Sequence, residues 1–154
     1  MALYLLALQI GVVAGLRSMT APAAVSWAAY LGLINLGDTW LAFLGYRFTP
    51  WIMSVLAIGE LIGDKLPTTP SRKLPLPFAA RIISGGLCGA ALAAGGGSFW
   101  GGSIAGAIGG IIGTLGGAAG RAHLAKAFGK DRPAALTEDA VAIIGAALIV
   151  GAVP

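Results

Sequence analysis

The sequence predicts an all-α integral membrane protein: a compact bundle of about six transmembrane helices, the first two short or broken, packed through glycine. Three observations carry that expectation. Only 10% of the residues are charged and 57% are hydrophobic, whereas an average soluble domain is roughly 25% charged, so this chain could not cover a water-facing surface. Apolar segments recur at about 2–16, 21–34, 51–66, 78–97, 101–120 and 136–153, divided by polar or proline-rich breaks. Glycine is abundant, with 25 residues, and recurs at helical steps inside the apolar segments. The 154 residues suit a single transmembrane domain over 1–154.

The first segment, MALYLLALQIGVVAG, lacks the positive n-region of a secretory signal, although MTAPA at 19–23 resembles a cleavage site; residues 1–16 are read as a mature helix. Residues 2–34 as one straight helix would be about 50 Å long, too long for a bilayer. Arg17, Ser18, Thr20 and Pro22 break it, leaving two short spans or a partly re-entrant pair. Residues 35–50 form a turn-rich connection with room for a short interfacial helix. The third segment, WIMSVLAI, runs into GELIGDKLPTTPSR, with the membrane boundary placed near Pro67. The loop 67–77 carries four prolines and is read as extended and stiff. The remaining segments have spanning or near-spanning length.

The net charge of +4 rests on ten Lys and Arg, most of them in breaks between apolar runs. Membrane orientation explains this better than nucleic-acid binding. With the 67–77 loop inside, Arg17, Lys65, Arg72, Lys73, Arg81, Arg121, Lys126, Lys130 and Arg132 all fall inside, and Arg47 alone falls outside. Trp40, Tyr46, Trp51, Phe99 and Trp100 then mark the outer boundary, and both termini face outward. Arg72 and Lys73 are placed to touch anionic lipid headgroups. The two three-span halves would have opposite orientation, as in inverted-repeat transporters, but residues 1–66 and 78–153 share no sequence match.

Fifteen glycines lie between 85 and 120. In the fifth segment Gly102, Gly106, Gly109, Gly110, Gly113, Gly116, Gly117 and Gly120 form a stripe of overlapping small-residue pairs. Such stripes let helix backbones approach closely in lipid. Packing within one bundle is the first reading, and a homodimer seam or sliding surface is the alternative. Gly95–Gly97 and Gly101–Gly102 are read as a tight outer turn. No phosphate-binding loop follows a strand.

Glu60 and Asp64 are four residues apart on one helix face. Glu60 is expected about 10 Å inside the boundary. Acids at a helix C-terminus oppose its dipole, and two on one dry face repel, so cations must answer them. Arg17, Arg81 and Arg121 are the candidates, while Lys65 is expected to point elsewhere and snorkel to the interface. Thr137, Glu138 and Asp139 are expected to open the sixth helix, with Thr137 as its cap. Arg17, Lys65, Arg81 and Arg121 balance Glu60, Asp64, Glu138 and Asp139 in the cytoplasmic half. Ser18 and Thr20 flank the break, where a helix starting near Pro22 could aim free N–H groups at an anion. The opposing reading is an ordinary turn.

GLRSMTAPA at 15–23, GELIGDKLPTTPSR at 59–72 and ARIISGGLCGA at 80–90 together resemble the bacterial membrane family catalogued as domain of unknown function 4126. Glu60, Asp64, Lys65, Pro67 and Arg81, with the Gly15-Leu16-Arg17 turn, carry the resemblance. It implies a small multi-span inner-membrane protein of bacteria and supplies no activity or cofactor. Cys88 is the only cysteine and His123 the only histidine, and His123 lies among Arg121 and Lys126. No Ser–His–Asp set, HExxH or cofactor-binding pattern appears, so catalysis is the weakest reading. The leading expectation is a transporter or channel for a small ion or polar solute. Glu60 and Asp64 would bind a cation or relay protons, with Arg17 and Arg81 as partners. The alternative is a non-transporting scaffold or lipid-binding protein whose charges only fasten the bundle.

Overall fold

The computed structural model describes residues 1–66, 71 and 73–154. The described residues form six α-helices and one 3-10 helix, with no strand: α1 (Ala2–Leu16), α2 (Thr20–Tyr30), the 3-10 helix (Trp40–Gly45), α3 (Thr49–Gly63), α4 (Pro75–Ala93), α5 (Phe99–Phe128) and α6 (Asp131–Gly151). The all-helical class holds, but a count of six full spans does not. Only α4, α5 and α6, at 19, 30 and 21 residues, are long and apolar enough to cross a membrane. α1 and α3 have 15 residues each and reach about 22 Å at 1.5 Å per residue, against a core of about 30 Å. α2 has 11. The boundary near Pro67 and the lipid contact of Arg72 lie outside the described residues, and Lys73 is exposed.

Several boundaries differ from the expectation for local reasons. Arg17 takes extended geometry (φ −141°, ψ 109°) and ends α1. Pro22 does not make the break; it sits in the first turn of α2, where its missing N–H is no loss. Pro75 and Pro77 likewise belong to the first turn of α4 rather than to a stiff loop. α5 does not stop at Gly120: RAHLAKAF continues it, and Gly129, at φ 72°, ends it in the left-handed region. Gly101 and Gly102 lie inside α5, while Gly95–Gly97 do form the turn before it. α6 starts at Asp131, so Thr137 is no cap; its hydroxyl donates to the Pro133 carbonyl at 2.8 Å within the helix.

α1, α4 and α5 form the tightest part of the bundle. A Cβ on Gly85 would lie 2.5 Å from the Gly106 carbonyl oxygen and 3.3 Å from the Gly11 Cα. The three backbones therefore touch at Gly11, Gly85 and Gly106. Lower down, a Cβ on Gly15 would lie 2.5 Å from the Thr114 amide nitrogen of α5. Gly102, Gly106, Gly109, Gly110 and Gly113 are all buried, so this part of the stripe is occupied within one chain. Gly116 and Gly120 have nothing within 4 Å of a built Cβ.

The bundle has two chemically distinct ends. At one, the Trp40 ring of the 3-10 helix packs 6.3 Å from that of Phe99, and the Ser98 amide donates to the Tyr4 hydroxyl at 2.9 Å. At the other, the ends of α1, α2 and α3 meet α4 and α6 in a layer of charge.

Candidate functional site: a charged layer at a broken helix

Arg17 is the hub of that layer. It leaves α1 at the point where the backbone straightens, and none of it is exposed. Its Nε donates to Asp139 Oδ1 at 2.7 Å and its Nη1 to Asp64 Oδ2 at 2.6 Å. Nη2 lies 2.6 Å from Asp139 Oδ1, and Nη1 lies 3.8 Å from Glu138 Oε1. One guanidinium thus joins α1 to the end of α3 and to α6. A planar, permanently charged fork suits such a multi-carboxylate site better than an ammonium would.

Glu60 is held differently. Its Oε1 accepts from the Ser18 amide and the Ser18 hydroxyl, both at 2.8 Å, and its Oε2 accepts from the Met19 amide at 2.7 Å. These amides immediately precede α2. The expected anion site at the α2 N-terminus therefore exists, and its occupant is a carboxylate of the same chain. An acid that opposes the dipole of α3 is answered by the positive end of α2.

Arg81 answers the other side of the break. Its Nη1 donates to the Gly15 and Leu16 carbonyls at 2.8 and 2.9 Å. It caps the C-terminus of α1, where a cation suits the dipole. Its Nη2 also lies 3.6 Å from Glu60 Oε1 and 3.9 Å from Asp64 Oδ2. Ser84, one turn on, donates to the Ser18 carbonyl at 2.6 Å. Both ends of the broken segment are thus satisfied by side chains, as a buried break requires.

Three expectations need correction. Lys65 does not snorkel: its Nζ pairs with Asp139 and donates to the Leu61 carbonyl at 2.9 Å. Glu138 and Asp139 are not first-turn acids; they are buried, two turns into α6, and face the hub. Arg121 stands at the rim. It makes a two-pronged bond to Asp131 at 3.1 and 2.7 Å and lies 3.8 Å from Glu138 Oε2. Asp131 escaped the sequence reading, although an acid opening a helix straight after a glycine stop was a usable signal.

Thr20 joins none of these pairs. It is 7% exposed, and its hydroxyl has no hydrogen-bond partner. It lines an apolar cleft of about 360 Å³ between α2, α3 and α6, together with Trp27 and Ser54, whose side chains bond each other at 2.9 Å.

The depth of the layer follows from position along the helices. Arg81 lies six residues after the start of α4, and Asp139 eight residues after the start of α6, or about 9 and 12 Å inward at 1.5 Å per residue. Twelve residues, about 18 Å, separate each from the opposite end of its helix. The layer therefore lies within the length of α4 and α6, both long and apolar enough to cross a membrane; ionised side chains at such depth persist by pairing. Among the described residues no group of three or more His, Cys, Asp or Glu is placed to hold a metal. No family model, curated protein or solved structure matches this chain.

Proposed function

We propose that this is a small multi-pass membrane protein that moves a small ion or polar solute, with the charged layer as its gate. In this reading the membrane is the bacterial cytoplasmic membrane, the layer faces the cytoplasm and both termini lie outside. The observation that carries the proposal is the discontinuous α1–α2 segment, whose ends hold Glu60 and Arg81. In transporters, broken helices present N–H groups to anions and carbonyls to cations near the middle of the membrane. Here internal charges fill both positions, which suits a closed state. Opening would exchange Glu60 or Arg81 for a solute ion or for a proton on the carboxylate. Asp64 and Asp139, both held by Arg17, are the carboxylates placed to take part. The glycine-packed α1–α4–α5 core supplies the dry barrier on the far side of the layer.

The decisive experiment uses proteoliposomes with folded Glu60→Gln and Asp64→Asn proteins. Ion or proton flux should fall strongly in both. Wild-type flux in both variants would end the proposal.

A specific observation favours a second reading. Arg17, Lys65, Arg81 and Arg121 are all paired with carboxylates in the layer, as a purely structural fastening would require. A scaffold of that kind would lose yield and thermal stability in the same variants, and the purified wild-type protein would move nothing.

A further inference from the structure

The layer of charge is answered within the chain, but one polar group higher in the bundle is not. Gln9 is the only glutamine in the sequence. It is the eighth of the 15 residues of α1, about 10 Å from either end of the helix. It is exposed, and no described group hydrogen-bonds its amide, although an amide offers two donors and an acceptor. It lines a groove of about 510 Å³ between α1 and α6 whose other walls are apolar, including Val13, Leu148 and Ile149. On α6 the groove includes Gly145, whose Cβ position lies 3.7 Å from the Val13 side chain of α1. With the bundle in a membrane, such an amide would face lipid tails and lack the partner that water would provide.

We propose that a second copy of this chain packs on the α1–α6 groove, with the two Gln9 amides hydrogen-bonded to each other across a two-fold axis. An amide carries both donor and acceptor, so it is self-complementary. A two-fold contact places the same residue on both sides, and two amides then exchange a reciprocal pair of N–H···O bonds. No other polar side chain lines the groove, so in a two-fold contact between copies the group that meets Gln9 at that depth is the other Gln9. The buried α5 glycines take no part, because α1 and α4 already cover them. The inference rests on the membrane placement proposed above and stands apart from the transport reading.

The test is made on the full chain in lipid vesicles, in a Cys88→Ala background, since Cys88 is the only cysteine and is buried in α4. Leu5→Cys lies one turn before Gln9, and Leu148→Cys lies across the groove; these residues are 55% and 69% exposed. Either should give disulfide-linked dimers on oxidation, while Ile83→Cys on α4, 61% exposed, should not. In sedimentation, Gln9→Leu should weaken self-association about three- to thirtyfold, the range of a membrane interhelical hydrogen bond. A monomeric wild type, equal crosslinking from Ile83→Cys, or unchanged association of Gln9→Leu would each overturn the proposal.

Discussion

Replacing Gly85 of α4 with alanine should destabilise the bundle, while the same change at Gly116, in the glycine stripe of α5, should not. The new methyl at residue 85 would stand 2.5 Å from the Gly106 carbonyl oxygen. Comfortable C···O contacts begin at about 3.3 Å, so α4 and α5 must separate by about 0.8 Å. Retreat the other way is blocked, because the Gly11 Cα of α1 is 3.3 Å from the same methyl. The obstructing atoms are backbone, which moves only with its whole helix. Overpacking of this kind costs about 1–3 kcal/mol, offset by about 1 kcal/mol of improved helix propensity. At Gly116 nothing lies within 4 Å of a built Cβ, so only the gain of up to about 1 kcal/mol applies. The two variants should differ by roughly 1–3 kcal/mol, or about 2–12 °C in melting temperature at 2–4 °C per kcal/mol. Thermal unfolding of the purified variants in one detergent measures this. Equal melting temperatures, or a more stable Gly85→Ala, would refute the claim that three backbones meet at this point.

The charged layer makes further contrasts. Arg17→Met takes the shared guanidinium from Asp64 and buried Asp139, leaving them only Arg81 at 3.9 Å and Lys65, and should lower stability by about 3 kcal/mol, whereas Arg121→Ala, which loses mainly a bond to exposed Asp131, should change it by about 0–1 kcal/mol; chemical denaturation compares them directly. Glu60→Gln puts an amide where three donors converge. It should cost about 1.5–3 kcal/mol and speed hydrogen exchange at the Ser18 and Met19 amides; unchanged exchange there would count against the helix-end pairing. Thr137→Ala should shift stability by less than about 0.5 kcal/mol, as for a helix-surface change, and a loss near 1 kcal/mol would restore it as a cap.

How far the site was legible depends on where each residue sits relative to a helix end. Glu60, Asp64, Arg17 and Arg81 were readable because acids at the end of an apolar run demand cations, and few cations were available. Lys65 was misread because α3 stops at Gly63; beyond that stop, positions no longer advance at helical angle, and the lysine swings toward α6. Glu138 and Asp139 were misplaced because apolar content alone defined the sixth segment. The true start, Asp131 with Pro133 in the first turn, is polar and resembles a loop. The same bias cut α5 short at Arg121. Gln9 drew no notice because a single amide in an apolar run changes neither hydropathy nor period. Its significance lies in what surrounds it in three dimensions.

The bond between Arg17 and Asp139 joins positions 122 residues apart. A ribosome adding about 5–20 residues per second needs about 6–24 s to make that stretch. During that interval the arginine lacks Asp139, and Asp64, 47 residues after it, is the first of its carboxylate partners to be made. Asp139 arrives with α6. A nascent chain that has not yet made α6 therefore carries an arginine still lacking its Asp139 partner.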